Sequence, residues 1–218
     1  MQFIDARLYG AWLATGSIVA ILGLSDFGMF SVITQRVAVA FGKKDFVNLG
    51  RLINTSIIIA FILSLIPLVL GLILMQYIPG WLNVEAENVI QISKAFLISS
   101  LSTSFMMVSY GSGSIFVALQ KTKLLSVIEI ILGIISIFAT IIFLNKGFGL
   151  LSIPLAMLLK SVILSISNYV LLMIWKKKNL ISKNTYFDLL FFKDLFSQSL
   201  WVFIVKISRV LTSQSDKL

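Results

Sequence analysis

Six ionisable residues stand inside otherwise apolar stretches of the chain: Asp26, Arg36, Glu129, Lys160, Lys206 and Arg209. A charge at the centre of a bilayer costs about 2.5–3.5 kcal/mol on insertion scales, so such a group faces a cavity or a partner. Lys160 is the deepest. At about 1.5 Å per helical residue it lies roughly 18 Å beyond Phe148 and more than about 20 Å before Trp175. Lys206 and Arg209 are three apart and share a helical face. Asp216 follows on roughly the same side. Four cations against two acids describe a cavity for an anion, above all one bearing phosphates. Arg36, Lys160, Lys206 and Arg209 are therefore the candidate substrate-binding residues, with Asp26 and Asp216 as cavity or coupling groups. Plainer roles stand beside these: Lys160 in a structural pair, and Arg36 and Glu129 as anchors at the ends of their runs. Ten helical residues put Asp26 and Arg36 about 80° apart, which argues against a direct pair.

The elements that must hold these groups are membrane helices. The chain has 218 residues, is 58% hydrophobic and only 12% charged, and has a mean hydropathy of +1.01. Soluble domains carry roughly a quarter charged residues. The absence of cysteine and histidine removes thiolate and imidazole chemistry and the commonest metal ligands. No cofactor or metal site is expected, and no catalytic residue. The net charge of +9 does not signal nucleic acid, because the basic residues lie between the apolar runs. Crossing about 30 Å of hydrocarbon takes roughly 20 apolar helical residues. Five complete candidates appear: Leu8–Phe41, Leu52–Ile78, Ser93–Leu119, Leu124–Leu144 and Phe148–Trp175, with a partial sixth from Ser197 to Leu218. Spanning strands would alternate over about 10 residues, whereas these runs are continuous. The expected fold is all-α, a polytopic transmembrane helix bundle. The first run, about 50 Å as one helix, must tilt, kink near Gly28 or extend beyond the bilayer.

Basic loops alternate with poor ones. Lys43, Lys44 and Arg51 follow the first run, Lys121 and Lys123 the third, and Lys176, Lys177, Lys178 and Lys183 the fifth. These loops are cytoplasmic under the positive-inside rule, with Glu85, Glu87 and Lys146 outside. Met1 then falls outside, although "MQFIDARLYG" lacks the features of a signal peptide. A missing first helix explains this most simply, so the chain reads as an internal fragment of a larger transporter-like protein.

The third run carries a series of small polar residues from Ser99 to Ser114. Such residues let helix backbones approach closely, or they line a wet lumen whose hydroxyls meet a sugar. Between Trp175 and Ser197, "KKKNLISKNTYFDLLFFKDLF" has the pattern of a surface-lying linker helix held partly by anionic lipid headgroups. Pro67 and Pro154 are expected to kink their helices.

The pattern Asp26-Phe27-Gly28, then Arg36, then Gly42-Lys43-Lys44-Asp45 carries a family resemblance. So do "NKGFGLLSIPLA" and "FSQSLWVFIVKISRVLTSQSDKL" with Trp201, Gln214 and Asp216. In order and spacing the chain resembles the polysaccharide repeat-unit transporters, the O-antigen flippase-like branch of the multidrug/oligosaccharide-lipid/polysaccharide exporter superfamily. The resemblance implies two bundles of six helices around a central cavity. Residues 1–175 would be the first lobe without its first helix, 176–196 a cytoplasmic inter-lobe linker, and 197–218 the start of the second lobe. It also implies a multi-pass protein of the bacterial inner membrane. Its partners would be a lipid-linked oligosaccharide, membrane lipids and the polysaccharide assembly machinery. Lys160 matches no motif of that family.

Flipping a polyprenyl-pyrophosphate-linked oligosaccharide is the leading expectation, because sugar and pyrophosphate cannot cross hydrocarbon cheaply. No Walker pattern occurs, so the energy source would be an ion gradient or the membrane potential. A multidrug-type exporter of the same superfamily is the alternative, although organic cations favour an acidic cavity. A membrane-embedded polymerase or glycosyltransferase ranks lower, since the loops are short and the acids scattered. The topology has a direct test. Single cysteines at positions 43 and 121 should resist an impermeant thiol reagent in intact cells, and those at 85 and 146 should react. Labelling at 121 but not at 85 would invert the map.

Overall fold

The computed structural model describes residues 6–178 and 189–215, excluding some side chains in the last helix. Among the described residues eight α-helices run in order: α1 (Ala6–Leu22), α2 (Met29–Gly42), α3 (Phe46–Leu74), α4 (Ile78–Trp81), α5 (Val89–Ala118), α6 (Thr122–Asn145), α7 (Ser152–Lys178) and α8 (Leu189–Ser215). No strand occurs among them. Helices α3, α5, α6 and α7 are long and apolar enough to cross a membrane. The protein is an all-α polytopic membrane bundle. Helix α6 shows what the bilayer must cover: Ile130, Ile131, Ile134, Ile137, Phe138 and Ile141 are all exposed on it.

The first apolar run is not one helix. It divides into α1 and α2 around a turn at residues 23–28, where Phe27 and Gly28 have φ of +46° and +77°. Glycine tolerates that region freely, and here a side chain would also collide. A Cβ on Gly28 would lie 2.9 Å from Val202 Cβ and 3.0 Å from the Ser199 carbonyl oxygen of α8. At the far end of α2, "GKKD" makes the return turn. The Asp45 carboxylate caps α3 by accepting from the Asn48 N–H at 3.0 Å.

Helix α5 is the hub, packed between α3 and α7. Gly111 brings it against α3, where the Ser56 hydroxyl donates to the Gly111 carbonyl at 3.0 Å. On the α7 side, Ser102 donates to Ser161 at 3.2 Å and Ser165 donates to the Phe105 carbonyl. Close packing is thus the role of much of the small-residue series. Pro67 lies within α3, as the sequence implies, but Pro154 does not interrupt α7. It stands in the first turn of α7, where its missing N–H has no helical acceptor to lose. Helix α7 runs three residues past the expected lobe boundary, to Lys178, and α8 begins at Leu189, within the expected linker. Residues 179–188 lie outside the described residues.

The two ends of the bundle differ in charge. Arg7 and Glu85 meet at 3.1 Å at one end. At the other, Lys121 lies 5.4 Å over the Trp175 ring, Lys176 donates to Asn54, and Lys43 and Lys44 form the α2–α3 turn. A matched pair of substitutions tests the α3–α5 contact. A Cβ at Gly111 would stand 2.3 Å from Ala60 Cβ, whereas one at Gly113 meets nothing within 4 Å. Gly111→Ala should lower the thermal midpoint of the purified protein by an overpacking penalty of about 1–3 kcal/mol. Gly113→Ala should leave it level or raise it. Equal midpoints would contradict the packing described.

Candidate functional site

The broken first run opens one side of a cavity of about 480 Å³ between the α1–α2 turn, α2, α5, α6 and α7. The turn delivers Asp26, which is 6% exposed, to its wall. Helix α2 adds Ser31 and Thr34, α5 adds Ser109, Tyr110 and Ser114, and α6 adds Ser126 and Glu129. Helix α7 contributes Asn168, whose Nδ2 donates to Ser109 Oγ at 2.8 Å. That bond fixes the amide, and its buried Oδ1 has no hydrogen-bond partner among the described residues. Buried acceptors are normally satisfied, so this oxygen is an exception, held behind the wall rather than on it. Thr34 is held by its own helix and by α5, donating toward the Phe30 and Ser114 carbonyls at 2.8 and 3.2 Å.

The charges expected to share a cavity are distributed differently. Asp26 lines it. Arg36 lies further along α2, beyond Thr34, and is not part of the cavity wall. Its guanidinium donates instead to the Asp194 carboxylate of α8 at 2.6 Å, with both side chains partly exposed. Lys160 is half-buried on α7, one turn before Leu164 and two before Asn168, on the stripe that lines the cavity but outside its lining. The side chains of Lys206 and Arg209, and Asp216 altogether, lie outside the described residues. Glu129, for which the plainer expectation is an interface anchor, reaches the cavity.

Helix α8 runs antiparallel to α2 beside this site. Asp194 meets Arg36, and eight residues further along α8, Val202 meets Gly28, eight residues back along the chain from Arg36. Phe203 closes edge-on against Phe27 with ring centroids 5.1 Å apart. The same turn therefore aims Asp26 at the cavity and seats α8.

A family model described as MatE matches residues 10–142, from α1 through most of α6. The chain belongs to the MatE family. Membership makes it a multi-pass membrane exporter of the multidrug/oligosaccharide-lipid/polysaccharide superfamily. No curated protein and no solved structure gives a significant match. In this MatE chain, Tyr110 and Asn168 are cavity residues that sequence reasoning does not single out. Asn168 is legible as a lone amide in an apolar run, eight residues after Lys160; Tyr110 is hidden in a series of serines and glycines.

If the cavity holds water, polar reagents reach it and miss the lipid face. Tyr110→Cys and Glu129→Cys should react with a hydrophilic thiol reagent in permeabilised membranes. Ile131→Cys and Ile134→Cys, exposed on α6, should not. Uniform labelling of all four would argue against an aqueous cavity.

Proposed function

We propose that this exporter moves a polyprenyl-pyrophosphate-linked oligosaccharide, an O-antigen, capsule or exopolysaccharide repeat unit, across the bacterial inner membrane by alternating access. The observation that carries this reading is the polar wall of the cavity, where Ser31, Ser109, Tyr110 and Ser126 stand beside the carboxylates of Asp26 and Glu129. A sugar offers many hydroxyls, and each can donate to a carboxylate or hydroxyl oxygen of this wall while its own oxygen accepts a hydrogen bond from a wall hydroxyl. The polyprenyl tail stays in the lipid, so only the polar head needs the cavity. Two lobes rocking about a site near the midplane would then expose it to each side in turn. Lys160, Lys206 and Arg209 are the cations proposed for the pyrophosphate, with Arg36 at the basic end of the bundle. Asp26 and Asp216 are the proposed cavity or coupling acids.

A second reading, export of organic cations, draws on one specific observation. The charged residues lining the cavity are Asp26 and Glu129, both acids. The two readings separate in one set of strains. In the complete protein, Lys160→Gln, Lys206→Gln and Arg209→Gln should each reduce polymer export while membrane levels hold. A charge-assisted contact is worth about 1.5–3 kcal/mol, so each loss should weaken substrate binding roughly tenfold to a hundredfold. Arg209→Lys should keep part of the activity, because the charge survives without the bidentate fork. Normal export from a well-expressed triple variant would remove the pyrophosphate role. Loss of resistance to cationic drugs in Asp26→Asn and Glu129→Gln, with polymer export intact, would favour the second reading.

A further inference from the structure

A second recess lies at the basic end of the bundle, where α5 ends, α6 begins and α7 ends. It encloses about 530 Å³, and Phe116, Leu171, Ile174 and Trp175 form much of its apolar wall. Its charged lining consists of Lys121, Lys123 and Lys178, all exposed, with no carboxylate among the lining residues. The Lys121 ammonium sits 5.4 Å over the Trp175 ring, which holds one cation at the mouth. Helix α6 starts beside it at Thr122, and Lys121 as its N-cap makes no side-chain capping bond. The first N–H groups of α6 therefore add positive field to the lysines.

This recess is separate from the polar cavity; the two share only Leu125. It continues onto exposed apolar surface at Leu124, Val127 and Ile174, the surface that hydrocarbon must cover. An occupant thus arrives from the membrane, carries a hydrocarbon chain and ends in an anion. We propose that the recess binds one anionic glycerophospholipid, with its phosphate among Lys121, Lys123 and Lys178 and an acyl chain along Leu171, Ile174 and Trp175. Apolar contact gives residence, and the lysines give headgroup selectivity. The groove thereby ties the α5–α6 turn to the end of α7 through a bound lipid.

The test uses the full chain purified in an uncharged detergent and titrated with dioleoylphosphatidylglycerol or dioleoylphosphatidylcholine, with retained lipid read by native mass spectrometry. The anionic lipid should be retained more tightly, and its advantage should fall about fivefold for each of K121Q, K123Q and K178Q. K43Q and K44Q, at the same end but outside the recess, should leave the advantage unchanged. A second measurement does not depend on lysine variants. With Trp12, Trp81 and Trp201 changed to Phe, Trp175 should be quenched by dibrominated phosphatidylglycerol, and millimolar inorganic phosphate should not relieve the quenching. Equal retention of the two lipids, a triple variant with undiminished preference, or relief by phosphate alone would each overturn the proposal.

Discussion

Close approach of α5 to its neighbours is the constraint on which the bundle depends. Between helices immersed in lipid there is little hydrophobic drive, so association rests on packing and on hydrogen bonds across the interface. Helix α5 meets both needs with small residues. Gly111 admits Ala60 of α3, and Ser102 and Phe105 meet Ser161 and Ser165 of α7. Many of its other hydroxyls return to their own helix, as Ser99, Ser100 and Ser104 do by donating to carbonyls four residues back. Those groups are satisfied without a partner helix and leave the surface smooth enough to pack. Toward the basic end of α5 the two roles alternate, with Ser109, Tyr110 and Ser114 lining the cavity while Gly111 between them packs against α3.

The α1–α2 turn provides the second constraint. With left-handed geometry at Phe27 and Gly28 it sets Asp26 in the cavity wall, and the missing Cβ of Gly28 lets Val202 of α8 approach closely. Asp26, Gly28 and Arg36 thus belong to one arrangement with different tasks. The acid faces the cavity, the glycine admits α8, and the arginine fixes the other end of α8 through Asp194.

Much of this is legible in the sequence, for a physical reason. Hydrocarbon demands continuous apolar length, so the apolar runs mark α3, α5, α6 and α7 to within about six residues, and of the tilt, kink or extension that the long first run allows, the chain takes a break at residues 23–28. Pairing across helices is what a sequence hides. Arg36 and Asp194 are 158 positions apart, and no periodicity connects them. Pro154 misleads because its effect depends on whether α7 begins before or beside it. The depth of Lys160 is readable, but its rotation relative to the cavity is not, since that depends on how α7 turns against α5. The side to which Glu129 turns is hidden for the same reason, since it depends on the rotation of α6.

The short turn between α2 and α3 also bears on how the chain enters the membrane. Among the described residues α1 and α2 have 17 and 14 residues, about 26 and 21 Å, each shorter than the roughly 30 Å of hydrocarbon. Helix α3, with 29 residues, is the strongly apolar neighbour. The tight "GKKD" turn with its Asp45 cap ties α2 to α3 as a helical hairpin. In biogenesis the two would partition into lipid together, with α3 supplying the driving force that a broken, acid-bearing segment lacks. The polar break can then persist in the membrane because its insertion is carried by the next helix along the nascent chain.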